Sequence, residues 1–94
     1  MYTRVVTPAA KRSLKKLPVQ IRKALVSATK KLETNPYAGE KLSGVLHFLY
    51  SFHFKHNNVE YRVAYTVDHD RTLIIIHFAN TCENFYEKLR RLFR

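Results

Sequence analysis

The side chains best suited to chemistry in this sequence lie between residues 51 and 67. Aromatic and aliphatic residues alternate strictly there, which is typical of strands that bury one face. The polar residues between them therefore share the opposite face: Ser51, His53, Lys55, Glu60, Arg62 and Thr66. A sheet surface that carries a histidine, a lysine and an arginine is suited to binding an anion.

RNA is an anion that such a surface could cleave without a metal ion. RNA carries its own nucleophile, the 2′-hydroxyl, so a site needs a base, an acid and a group that stabilises charge on phosphorus. Imidazole titrates near neutrality, which makes His53 the candidate base. Arg62 and Lys55 are suited to holding phosphate, the arginine through two parallel hydrogen bonds. The competing interpretation is that His53 and Arg62 are only a solvated surface pair.

The register of the hairpin decides whether these groups meet. Asn57 and Asn58 tolerate the positive φ of a two-residue type I′ turn, and such a loop puts His53 opposite Arg62 and Lys55 opposite Glu60. A four-residue loop would put Ser51 opposite Arg62 instead.

The N-terminal third predicts a short strand and two helices. Tyr2 to Val6 is β-prone, and Thr7-Pro8 is a helix-capping residue followed by a proline at the first helical position. Pro18 ends the first helix and can open a second one. The apolar residues of the second helix form one stripe: Ile21, Leu25, Ala28 and Leu32. The two helices are expected to form an antiparallel hairpin on one face of a sheet.

The rest of the chain predicts three more strands and a last helix. Alternation begins at about Leu46, residues 68–71 form a turn, and Leu73 to Phe78 is apolar enough for an interior strand. Asn80 or Thr81 is expected to cap the last helix. Its inward residues would be Phe85, Leu89 and Leu92. The order β-α-α-β-β-β-α predicts one α+β domain over residues 1–94, with a mostly antiparallel four-stranded sheet and a short C-terminal helix.

The composition indicates a polyanionic partner. Seventeen Lys and Arg residues stand against seven acids, giving a formal charge of +10 and a pI near 10.1. No acid precedes Glu33. The single cysteine fits a reducing compartment, and neither a signal peptide nor a membrane-spanning run is evident, so we expect a cytoplasmic protein without a membrane partner.

Several kinds of catalytic site are absent from the sequence. It has no Gly-rich phosphate loop, no nucleophile elbow, and no His or Cys pair at zinc spacing. We therefore predict neither a cofactor nor a metal ion.

Two segments resemble the RelE/ParE family of small toxins from bacterial type II toxin-antitoxin operons. They are residues 60–67, Glu-Tyr-Arg-Val-Ala-Tyr-Thr-Val, and residues 80–89, which begin Asn-Thr-Cys-Glu-Asn-Phe-Tyr. The second is similar to the family's Gly-Thr-Arg-Glu-Asn-Phe-Tyr pattern. The resemblance implies a cognate antitoxin that wraps the basic surface in a hetero-oligomer. RelE-like members cut mRNA on the ribosome without metal, whereas ParE-like members inhibit DNA gyrase.

Carried over by position, the RelE-like site predicts two groups of residues. The catalytic candidates are His53, Arg62, Cys82 and Tyr86, and the RNA-binding candidates are Ser51, Lys55, Arg90 and Arg91. Tyr86 would act as an acid or as a platform that stacks on a base.

Cys82 departs from the family pattern, which has arginine at this position. A thiol cannot supply the forked charge of a guanidinium, and losing such a stabiliser typically costs about a hundredfold to a thousandfold in rate. The favoured hypothesis is a mRNA endoribonuclease weakened at Cys82. The alternatives are a ParE-like gyrase inhibitor without chemistry of its own and an inert partner that only binds antitoxin.

Overall fold

The computed structural model describes residues 1–81 and 83–93, which form three α-helices and a five-stranded sheet. Cys82, a predicted site residue, lies outside the described residues. The elements in chain order are β1 (Thr3–Val6), α1 (Pro8–Lys15), α2 (Val19–Thr29), β2 (Glu40–Lys41), β3 (Tyr50–His56), β4 (Val59–Asp68), β5 (Leu73–Thr81) and α3 (Phe85–Leu92). The predicted α+β class is confirmed.

The N-terminal helices begin where the sequence predicts. The Thr7 hydroxyl accepts a hydrogen bond from the Ala10 amide at 3.1 Å, and Pro8 occupies the first turn of α1. Pro18 immediately precedes α2. α2 continues into a 3-10 turn over Lys30–Glu33, so the predicted apolar stripe runs unbroken to the buried Leu32.

The strands are ordered β1-β5-β4-β3-β2, and every neighbouring pair is antiparallel except the parallel pair β1 and β5. The prediction of four strands missed β2, which has two charged residues and therefore no alternation to detect. The strand expected from about Leu46 begins only at Tyr50. The segment before it forms a 3-10 turn over Gly44–Leu46, because Leu46 and Leu49 turn inward to fill a core.

The β3–β4 hairpin has the predicted register. A two-residue loop with positive φ at Asn57 (51°) and Asn58 (66°) joins the strands. His53 is the Cα partner of Arg62, and Lys55 is the partner of Glu60. The alternative with Ser51 opposite Arg62 is therefore wrong, since Ser51 pairs with Ala64.

The last strand is longer than the sequence indicated. β5 continues through Asn80 and Thr81, which pair with Arg62 and Tyr61, so neither residue caps the last helix as expected. α3 begins at Phe85 and follows Asn84, whose φ of 56° is left-handed. Leu92 lies in the final turn and is 38% exposed, contrary to its expected inward position.

Both faces of the sheet are covered, but to different extents. On one face, α1 and α2 pack against a core that includes Leu25, Phe52, Val63, Tyr65 and Ile76. On the other face, a smaller core joins α3 to the sheet through Leu46, Leu49, Ala64, Phe85 and Leu89. α3 covers only part of this second face. The neighbouring row of β3 and β4 side chains stays accessible there.

Candidate functional site

Arg62 is the centre of the accessible part of the second face. Its Nη1 donates a hydrogen bond to the Tyr86 hydroxyl at 3.0 Å, and its guanidinium carbon lies 5.5 Å from the centroid of the Tyr86 ring. Nη2 lies 3.8 Å from Oε1 of Glu60, a loose ion pair. The Arg62 side chain keeps 20% of its surface exposed. The folded chain therefore orients this guanidinium while leaving part of it open to a ligand.

His53 and Lys55 extend the site along β3. Directly opposed residues of an antiparallel pair have Cβ atoms roughly 4.5–5.5 Å apart, so the His53 ring stands beside Arg62 on the same face. Both His53 and Lys55 are exposed to solvent. The hairpin thus presents an imidazole, a guanidinium and an ammonium group side by side.

Ser51 is placed differently from its neighbours. It is fully buried, and its hydroxyl lies 3.5 Å from Arg62 Nη1, at the outer limit of a hydrogen bond. Direct contact with a ligand is closed to a buried hydroxyl. Ser51 is instead positioned to restrict where the guanidinium can lie.

The two predicted arginines of α3 lie on different parts of its surface. Arg90, one helical turn after Tyr86, joins it in lining a cleft of about 540 Å³ closed by residues 40–46. Arg91 forms an ion pair with Glu87 at 2.9 Å and does not line that cleft. The structure thus brings Arg90, but not Arg91, into a cleft shared with Tyr86.

The arrangement has the parts for general acid–base chemistry on a phosphate ester. His53 is a solvent-accessible base, and Arg62 and Lys55 supply positive charge beside it. The Tyr86 hydroxyl accepts a hydrogen bond from Arg62, so its own proton is still available for donation. These groups come from three elements, β3, β4 and α3.

Sequence reasoning missed one residue at this site. Asn80 is the Cα partner of Arg62 on the other side of β4. The pairing of β4 with β5 shifts between Ala64 and Tyr65, a bulge that leaves His77 without a direct partner. The apolar sequence of β5 gives no sign of that bulge, so the register beyond it could not be derived.

Two other kinds of site were considered. Among residues 1–81 and 83–93, no group of three or more His, Cys, Asp or Glu side chains is arranged to hold a metal ion. In the same part of the chain, no helix is long and apolar enough to span a membrane.

Three solved structures illustrate what this fold is similar to. A chain of the toxin-antitoxin complex RelBE2 from Mycobacterium tuberculosis is 29% identical, with a TM-score of 0.76 over 85% of this chain and 96% of that one. The isolated RelE toxin of E. coli is 21% identical, with a TM-score of 0.68 over 98% and 99%. A chain of the intact E. coli RelBE toxin-antitoxin complex is 15% identical, with a TM-score of 0.69 over 85% and 95%.

The two E. coli likenesses show a shared fold alone. A comparison with curated proteins gave no match. A family model, however, matches residues 5–90 and describes a ParE-like toxin of type II bacterial toxin-antitoxin systems. This match spans most of the chain and includes every strand and helix that contributes to the site except the start of β1 and the end of α3. The chain therefore belongs to the family of ParE-like toxins of type II bacterial toxin-antitoxin systems.

Proposed function

We propose that this toxin is a metal-independent endoribonuclease that cleaves mRNA on the ribosome and thereby inhibits translation. The observation that carries the proposal is the pairing of His53 with Arg62 on an accessible sheet face, with the Tyr86 hydroxyl bonded to the same guanidinium. Few other arrangements put a base, an acid and a phosphate-binding cation on adjacent strands.

Each group has a defined part in the proposed reaction. His53 takes the proton of the RNA 2′-hydroxyl, and the 2′-oxygen forms a bond to the adjacent phosphorus. Arg62 and Lys55 stabilise the negative charge that accumulates on the phosphoryl oxygens. The bond from phosphorus to the 5′-oxygen breaks, and Tyr86 gives that oxygen a proton. The products are a 2′,3′-cyclic phosphate and a 5′-hydroxyl end.

The proposed partners are the ribosome with its mRNA and a cognate antitoxin, all in the cytoplasm. A net charge of +10 favours both RNA and an acidic protein segment. The RelBE2 and RelBE structures are described as toxin-antitoxin complexes, which supports an antitoxin as the protein partner. The complex with antitoxin is then a hetero-oligomer.

Expression in bacteria with mapping of mRNA 5′ ends tests the proposed activity. His53→Ala should remove most new 5′ ends, because the reaction loses its base, and general acid–base catalysis contributes about a hundredfold or more. His56→Ala is the matched control, since it removes an imidazole three residues along the same strand. Equal cleavage by both variants would contradict the role of His53.

A second candidate is inhibition of DNA gyrase without RNA chemistry. The observation that favours it is the family model itself, which describes ParE-like toxins. In that case substitution of His53 or Arg62 leaves toxicity intact and DNA damage signalling rises. Normal antitoxin binding with neither toxicity nor RNA cleavage would point instead to an inert antitoxin-binding partner.

A further inference from the structure

A second cationic cleft lies at the outer edge of β5, between α1 and α3. β1 pairs only with Leu73 to Ile76, so the later half of β5 has no strand on that side among the described residues. The Ser13 hydroxyl occupies part of the gap by accepting a hydrogen bond from the Ala79 amide at 3.3 Å. A cavity of about 400 Å³ remains beside this contact.

Three cations from two helices line this cavity. Arg12 and Lys16 are four residues apart on α1 and therefore share one face, and Lys88 approaches from α3. Phe78 and Asn80 of β5 contribute the remaining side of the wall. No carboxylate lines the cavity in the part of the chain that the structure describes.

The electrostatics of this cleft favour an anion. All three cations are exposed, and none forms an ion pair with a described residue. Like charges brought together in a concave surface repel one another and concentrate the field on a negatively charged ligand. Asn80 adds a neutral donor: its Oδ1 accepts from the Thr81 amide at 2.8 Å, while its Nδ2 makes no hydrogen bond with a described residue.

Asn80 also connects this cleft to the candidate active site. It is the Cα partner of Arg62, which in turn is the partner of His53. Neighbouring strands lie roughly 4.8 Å apart, so the row from His53 to Asn80 crosses three strands over about 10 Å. A chain of phosphates that lies on Arg62 and continues past Asn80 reaches Arg12, Lys16 and Lys88.

We infer that Arg12, Lys16 and Lys88 form a second phosphate-binding subsite, which holds the backbone of single-stranded RNA beyond the phosphate at Arg62. The inference rests on the proposed function for the direction of the strand and for RNA as the ligand. The subsite contacts only the backbone, so it strengthens binding equally for different sequences. It adds affinity and orientation and takes no part in proton transfer.

The test measures binding of a fluorescent polyuridylate strand at several salt concentrations. The triple variant Arg12→Gln, Lys16→Gln, Lys88→Gln is compared with Lys15→Gln, Lys23→Gln, Lys30→Gln, which removes the same charge from exposed positions outside the cleft. Each lost phosphate contact on a single strand lowers the slope of log K against log salt by about 0.7, so the cleft triple should lose about 2 from the slope. The control triple should lose less than half as much.

Three results would overturn the inference. They are an equal loss of slope in both triples, no loss in the cleft triple, and wild-type protein that does not bind the strand. A cleft triple that loses binding to polyglutamate but not to polyuridylate would assign the cleft to an acidic protein, which also contradicts it. Cleavage mapping on the same proteins keeps the two proposals separate, because loss of cleavage in Arg62→Ala alone tests the proposed function.

Discussion

Arg62 does more than supply a positive charge. A guanidinium has five donors in a rigid fork, and here one nitrogen is bonded to Tyr86 while another lies near Glu60. The side chain is thus held in one direction before any ligand binds, which reduces the entropy lost on binding. Lysine at this position could not keep both contacts and still meet a phosphate.

At the scale of single residues, Cys82→Arg should raise the rate of RNA cleavage. The family resemblance puts arginine at this position, and one such stabiliser is typically worth about a hundredfold to a thousandfold in rate. Cleavage of a ribosome-bound mRNA by purified protein is the measurement. Cys82→Ser, which restores no charge, is the control, and equal rates for the two variants would contradict the expectation.

His77 gives a second prediction, on stability. Its half-buried position lowers the pKa of the imidazole, while its Nε2 lies 2.9 Å from the Thr66 hydroxyl. As the pH falls below about 6.5, the unfolded chain takes up a proton at this residue before the folded protein does. The free energy of unfolding should therefore fall with pH in this window, and the loss should level off below the lowered pKa.

Denaturant unfolding of His77→Gln between pH 5 and 7.5 measures that contribution. The glutamine amide can still bond to Thr66 but does not titrate, so the dependence of stability on pH should become weaker than in the wild type. His56→Gln should keep the wild-type dependence. An unchanged pH dependence in His77→Gln would show that burial of His77 does not disfavour its charged form.

At the residue scale, the sequence was sufficient for some placements and not for others. The opposition of His53 and Arg62 followed from the alternating pattern and from an Asn-Asn loop that permits positive φ. The pairing of Asn80 with Arg62 depends on the bulge at His77, and the burial of Ser51 depends on the packing of other elements above it. Neither leaves a local mark in the sequence.

At the scale of elements, a buried tyrosine attaches the loop before β2 to the sheet. The hydroxyl of Tyr65 donates to the Pro36 carbonyl at 2.8 Å and accepts from the Gly39 amide at 3.0 Å. A Cβ at Gly39 would lie 2.6 Å from that hydroxyl, so the close approach requires glycine. The loop leads directly into β2 and the turn that closes the cleft beside Tyr86.

Tyr65→Phe should therefore destabilise the fold. The substitution leaves the Gly39 amide and the Pro36 carbonyl without their partner, which costs about 1–3 kcal/mol when such groups are shielded from water. Chemical denaturation measures the change. Tyr50→Phe is the matched control, because Tyr50 stacks on Tyr65 but its hydroxyl makes no hydrogen bond with a described residue. A similar loss in both variants would contradict this account of the loop.

Elements with strong local signals were predicted well. Thr7-Pro8 located the start of α1, and the apolar stripe located α2. The errors occurred where tertiary contacts decide the outcome. Glu40–Lys41 becomes a strand only by pairing with Tyr50 and Ser51, and Asn80 stays in β5 because it pairs with Arg62.

At the scale of the whole molecule, positive charge is present on both sides of the sheet. Residues 1–32 carry nine Lys and Arg residues and no acid, and most of them lie on the helices that pack on the face opposite His53. The proposed site and the cleft at β5 lie on the other face and at its edge. A polyanion is thus attracted from any direction, while only the open face offers groups for cleavage.

The most direct test of this account is cleavage of a ribosome-bound mRNA in a purified translation system, read as new 5′ ends, by wild-type protein and by Arg62→Ala. Arg71→Ala is the control, because that arginine is largely exposed in the β4–β5 turn. We predict that Arg62→Ala lowers the cleavage rate by about a hundredfold or more and that Arg71→Ala leaves it unchanged. Wild-type protein that produces no new 5′ ends, or Arg62→Ala that cleaves as fast as the wild type, would contradict the proposed function.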